Sequence, residues 1–281
     1  MKTIITLLLF FSFLQINAQD AHVYTESGTS FFLQVGPTNN MYSKIVSAGS
    51  NASFFSEGQT SIVDRSVSMG IALELVRGNT GFRLQTNRIK IDETFEVSNS
   101  ISENSFGQFT SENSSITRGE QINYEIVPGV HRYFQINKWL FSGGIEVPFT
   151  IYDIYKFSQE VENNFTTTSP EFNFEQQLFD NTTGELPGGY DIGVGVNAAM
   201  QYAFNNTIRV GIQYAPSVRH FKIGGETEFK RRIEQIFIEE FDNNPPAITN
   251  TTSITEINST TTQSEIAEFR QKMNFILVFS F

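Results

Sequence analysis

From Tyr190 to Phe204 every second residue is apolar: Tyr190, Ile192, Val194, Val196, Ala198, Met200, Tyr202 and Phe204. Between them stand Asp191, Gly193, Gly195, Asn197, Ala199, Gln201 and Ala203, all polar or small. After Asn205-Asn206 the alternation resumes with Ile208, Val210, Ile212, Tyr214 and Val218, set against Arg209, Gly211, Gln213, Ala215, Ser217 and Arg219. A period of two puts one set of side chains on each face of a β-strand. The Asn-Asn link predicts a tight hairpin, because Asn tolerates the positive φ that two-residue turns need. Strands of ordinary domains average about 5–6 residues. The greater length here predicts a transmembrane β-barrel with its apolar face to lipid and its polar face to the lumen.

The same alternation recurs along the chain. Phe31, Leu33 and Val35 mark a strand over Ser30–Pro37, and Val67, Met69, Ile71, Leu73 and Leu75 mark another over Ser66–Val76. In Phe82–Ile91, Phe82, Leu84 and Thr86 share a face, but Arg88 breaks it and Ile89 and Ile91 change phase, which points to a bulge. Strands follow at Glu120–Phe134 and from Trp139 to Ile151, then the hairpin, and finally Phe269–Phe281. The expected fold is all-β: an eight-stranded antiparallel transmembrane β-barrel with tight periplasmic turns and long extracellular loops. The tight turns fall at 77–81, 135–138 and 205–206. The polar stretches 39–65, 92–119, 156–189 and 222–268 read as the loops, with Phe172-Asn173-Phe174 leaving open whether 171–179 adds strand. An even strand number leaves both termini on the short-turn side.

Ahead of the barrel, Met1-Lys2 precedes an apolar run from Ile4 to Ile16 and the small residue Ala18. A basic start, an apolar core and a small residue describe a secretory signal peptide, too short for a membrane anchor of about 20 residues. The expected organisation is a signal peptide over 1–18, cleaved after Ala18 or Gln19, an N-terminal tail over 19–29 and the barrel domain over 30–281. No cysteine is present, which excludes disulfides, thiolate metal sites and a lipidated N-terminal cysteine. A net charge of -11 argues against a nucleic-acid partner. The mean hydropathy of -0.21 looks soluble, but a barrel's lumen face and loops dilute its apolar band.

With the apolar faces outward, nine charges point into the lumen: Glu74, Arg83, Glu125, Glu146, Asp191, Arg209, Arg219, Arg270 and Lys272. Eight strands enclose a space that side chains just fill, so these charges are expected to pair with one another. A narrow polar path for small solutes is the other reading, since inward Gly36, Gly70, Gly193, Gly195 and Gly211 leave room for water. Aromatic residues fall into two belts, as expected at the two membrane interfaces. Tyr133, Phe134, Trp139, Phe141, Tyr202, Phe204 and Phe281 lie towards the short turns; Tyr152, Tyr155, Phe157, Tyr190, Tyr214 and Phe221 lie towards the long loops. Of the three histidines, His22 lies in the tail, His131 on the inner face near the short turns and His220 at the long-loop rim. No local motif joins any of them to a serine and an acid, so no enzyme activity, cofactor or metal is expected.

The last strand alternates Met273, Phe275, Leu277 and Phe279 and ends on Phe281. This resembles the C-terminal signature by which the barrel-assembly machinery recognises outer-membrane proteins. Together with the leader and the strand pattern, the chain is similar to the small bacterial outer-membrane β-barrel (porin-like) families of the OmpA-barrel, OmpX and OmpW type. The resemblance implies a bacterial outer-membrane location, with lipid and the assembly machinery as partners. Three function classes follow: a membrane-anchored structural or surface-interaction scaffold acting through its loops on an unknown partner, a narrow porin-like channel, and a barrel lipid hydrolase or acyltransferase. The size of the loops favours the first, because loops on rigid scaffolds commonly carry function.

Overall fold

The computed structural model describes residues 22–23, 27–37, 59–103, 108–169, 172–241 and 247–281. Among them the fold is all-β, in one antiparallel sheet. In chain order its strands are β1 (His22–Val23), β2 (Gly28–Pro37), β3 (Gln59–Asp64), β4 (Val67–Arg77) and β5 (Thr80–Glu103). Then come β6 (Gln108–Ile136), β7 (Trp139–Glu146), β8 (Phe149–Tyr152), β9 (Tyr155–Ser169) and β10 (Phe172–Leu186). The last are β11 (Gly189–Ala203), β12 (Ile208–Tyr214), β13 (Ser217–Phe241), β14 (Ala247–Arg270) and β15 (Met273–Ser280). The signal-peptide expectation over 1–18 lies outside the described residues.

Pairing returns on itself. From β13 it runs through β10, β9, β6, β5, β4, β2, β15, β12 and β11 back to β13, a ring of ten strands. The expectation of eight strands is corrected accordingly. Long runs are cut into segments at Val147-Pro148, Pro187-Gly188 and Ala215-Pro216, because proline has no N–H to give to a ladder. The cuts are bridged by the remaining backbone groups. Gly193 donates to the Pro148 carbonyl at 2.9 Å and Val196 to the Pro216 carbonyl at 3.0 Å.

Three stretches expected as loops are long hairpins instead. β5 and β6 stay in register from Thr80↔Arg132 to Glu103↔Phe109 and β9 and β10 from Tyr155↔Leu186 to Ser169↔Phe172, while β13 and β14 pair from Ser217↔Arg270 to Glu239↔Ala247 with one register shift between Thr227 and Phe229. Residues 171–179 fall largely on β10. These segments are rich in Thr, Ser and Asn, so a search for apolar alternation passes over them. Thr nevertheless fits a pleated surface, and the ladder supplies the remaining order. Of the stretch 39–65, residues 39–58 lie outside the described residues and Gln59–Asp64 is β3, paired with Glu93–Ser98.

Two local expectations also change. The phase of β5 never breaks: Phe82, Leu84, Thr86 and Arg88 all face outward, while Ile89 and Ile91 are buried on the inner face beside Arg83 and Asn87. What changes at that level is the polarity of each face, not the register. At the β11–β12 turn no positive φ is used; among the described non-glycine residues only Asn137, at φ 53°, has one. The Asn205 carboxamide oxygen instead accepts from Thr207 N at 2.9 Å and Ile208 N at 2.7 Å. That is the local side-chain capture for which Asn suits turns.

Asn137 therefore tests the turn chemistry. Asn137→Gly should leave stability unchanged, whereas Asn137→Val should cost about 1–2 kcal/mol, the penalty of a left-handed conformation for a side chain with a branched Cβ. The urea midpoint of the refolded protein reads the difference.

Candidate functional site

The sheet is polar inside and apolar outside. Met69, Ile71, Leu73 and Leu75 of β4 expose 50% or more of their surface, while Glu74 between them exposes 1%. On β11, Ile192, Val194 and Val196 are exposed, and Asp191, Asn197 and Gln201 are buried. The alternation of each strand thus delivers carboxylates, guanidinium groups and amides to one enclosed space.

They meet there in two clusters. In the first, near the short turns, the cross-strand neighbours Glu74 and Arg83 approach to 3.4 Å. The Tyr133 hydroxyl donates to Glu74 and accepts from Arg83 Nη2 at 3.1 Å. His131, fully buried, sits with Nδ1 3.5 Å from Glu74 and Nε2 3.2 Å from Glu146. Asn197 Nδ2 donates to Glu146 at 2.8 Å, and the Arg83 guanidinium lies 4.1 Å from the centre of the Phe32 ring.

The second cluster turns on Arg219. Its Nη2 donates to Glu125 at 2.6 Å and its Nη1 to Asp191 at 3.3 Å and Thr150 Oγ1 at 2.9 Å; Nε reaches Ser217 Oγ at 2.9 Å. Glu125 also accepts from Lys272 Nζ at 2.6 Å and from the Asn87 amide. Asp191 accepts from Arg270 Nη1 at 3.1 Å and from the Tyr152 hydroxyl. With His131 neutral, the first cluster carries one excess negative charge and the second one excess positive charge, and the two cancel. Removing a member would strand a buried charge.

Little space is left between them. A void lined by Gln85, Glu125, Glu146, Gln213, Ser217, Arg219, Lys272 and Asn274 amounts to about 10 Å³, roughly the room one water needs. Towards the long hairpins an apolar cluster joins the buried polar residues Glu93, Gln121 and Asn123 on the inner face. Ile89, Ile91, Tyr152, Tyr155, Leu186, Phe221 and Ile223 form a buried cluster, with Phe157 packed on it. Tyr155 fits there because Gly119 lies beneath it; a Cβ at that glycine would overlap the phenol. The paired polar core and the apolar cluster beside it bind the strands together.

All nine charges expected on the inner side are on it. Eight of them join the two clusters, and Arg209 donates to Ser30 Oγ at 3.1 Å. The aromatic assignments need correction. Tyr133, Tyr152 and Tyr155, expected in the outer belts, are buried at 4%, 6% and 1% exposure, and Phe221 is buried with them. Parity along the strand held the signal: Tyr133 lies two residues beyond His131, and Tyr152 two beyond Thr150, both inward. Trp139, Tyr190 and Phe281 are exposed, and Tyr202 and Tyr214 are half-buried on the outer wall. Trp139 and Tyr202 meet edge to face at 5.1 Å.

Arg219→Leu should lower the unfolding free energy of the refolded protein by about 3–5 kcal/mol, the cost of breaking a buried ion pair. Lys222→Leu removes the outward partner of Glu265 (2.9 Å) and should change nothing measurable. Urea titration followed by the fluorescence of Trp139 compares them; equal effects would contradict the assignment of the two faces.

No known family model matches this chain, and no curated protein matches it in sequence.

Proposed function

We propose that the protein is a bacterial outer-membrane β-barrel whose closed wall anchors long extracellular hairpins, which act as a surface-interaction scaffold. The leader over 1–18 exports it, the strand ending at Phe281 is its address for the barrel-assembly machinery, and lipid covers the outer wall. Tyr190, Trp139, Tyr202, Tyr214 and Phe281 are its interfacial aromatics.

The observation that carries this reading is the reversal of polarity on the outer wall. Ile192 to Met200 spans nine residues. At about 3.3 Å per residue and a tilt of about 40° this covers roughly 23 Å of height, close to the ~25 Å apolar band of such barrels. Above the band the outward positions become charged and pair on the sheet surface: Lys90 with Asp92 along β5 at 2.9 Å, and, across strands, Lys156 with Glu185 at 3.7 Å and Lys222 with Glu265 at 2.9 Å. The Lys222 hydrogen bond and charge hold the Glu265 carboxyl below its ordinary pKa. At the same height Ile89, Ile91, Tyr155 and Phe221 are buried on the inner face beside the polar Glu93, Gln121 and Asn123. This packing favours the scaffold over the porin-like reading.

Two exposed aliphatics separate membrane from water. Val196 lies in the band, 49% exposed, and Ile248 lies far above it, 68% exposed. Val196→Arg should cost about 2–4 kcal/mol and impair insertion, as a basic residue near the midplane does. Ile248→Arg should insert normally. The heat-dependent gel shift of vesicle-refolded protein reads both, and equal tolerance would sink the membrane reading. In a planar bilayer the folded barrel should be silent; a steady conductance would bring the porin-like reading to the front.

A further inference from the structure

β14 ends the sheet. It pairs with β13, and among the described residues no strand lies along its other edge. A free edge is a row of unpaired N–H and C=O groups, which proteins usually blunt with lysine, proline, a bulge or a cover. The stretch Ala247–Ile254 has none of these. It contains no charged residue and no proline, all of it is exposed, and its pairing with β13 is regular. Ile248 and Ile254 expose 68% and 58% of their surface.

Such an edge accepts one kind of occupant, another extended backbone. The chain as a whole carries a net charge of -11, so two copies repel over most of their surface. Ala247–Ile254 is a place where they can meet without setting like charges opposite. An antiparallel pair of identical strands is related by a two-fold axis, so each copy supplies what the other lacks. That axis lies across the strands, and the two barrels then point in opposite directions. We propose that Ala247–Ile254 is a homotypic adhesive edge, pairing antiparallel with the same segment of a second copy in a facing membrane. This rests on the outer-membrane reading above and names the partner of its hairpins.

The test uses the full mature chain reconstituted into vesicles, with insertion verified first by heat-dependent mobility and protection from protease. Wild-type vesicles should cluster, with a several-fold rise in light scattering. Thr249, Thr251 and Ser253 share one face of the strand, so T249K/T251K/S253K and T249E/T251E/S253E each place like charges opposite in any register. Neither variant should cluster alone, and mixing the two populations should restore clustering. Dispersed wild-type vesicles would overturn the proposal. So would clustering that survives both substitutions, or inserted Lys and Glu variants that fail to restore it together, because the edge would then serve another protein's strand or none. Failure to insert shows before any clustering is measured; it removes the membrane reading, and the facing-membrane geometry with it.

Discussion

Arg219 holds two carboxylates from different parts of the ring, Glu125 on β6 and Asp191 on β11, and Lys272 and Arg270 hold the same two from the other side. None of the five makes sense alone. Each buried charge would be costly without the others, and the wall that encloses them is apolar on its far side, so no charge can turn outward for relief. The strand alternation that delivers aliphatics to the outside obliges the inside to solve this problem. Closure of the ring and pairing of the interior charges are therefore one constraint, and the first cluster around Glu74 and Arg83 meets it again lower down.

The constraint has an upper limit, set within single strands. On β5, Arg83 and Asn87 are inward and Leu84 outward; a few residues later Ile89 and Ile91 are inward and Arg88 and Lys90 outward. Each face exchanges its character while the ladder continues without a slip. A sheet in uniform surroundings has no reason for this, because the apolar face would stay on one side. The exchange coincides with the Lys90–Asp92, Lys156–Glu185 and Lys222–Glu265 pairs and with the packing of Tyr152, Tyr155 and Phe221 over the polar core.

The inside-out character of the wall was legible in the sequence because period two is a property of the backbone. Val194, Val196 and Ile212 declare their face without tertiary information, and so do Glu74, Asp191 and Arg219. The tyrosines were less legible because they suit either side: a phenol anchors at an interface or donates to a buried carboxylate, and only parity separates the two. The hairpins beyond the rim were illegible for a different reason. Thr166, Thr182 and Thr252 carry no apolar alternation, and their strand state comes from neighbours such as Ser158–Ser169 and Arg231–Phe241 rather than from their own sequence. Nor could Asn205 announce that its side chain, rather than a positive φ, would make the turn.

Rigidity carries the consequence for function. A loop that merely joined β13 to β14 would present its backbone in many conformations; a ladder running from Ser217↔Arg270 to Glu239↔Ala247 presents one. Phe109, Phe165, Phe174 and Phe237 strengthen this across β6, β9, β10 and β13, with successive ring centres 4.8, 5.9 and 6.1 Å apart. An ordered edge held well above the rim costs less entropy to engage than a flexible loop would, because its strand is already extended. The charge network fixes the wall, the wall fixes the roots of the hairpins, and the hairpins hold the β14 edge in place before any partner arrives.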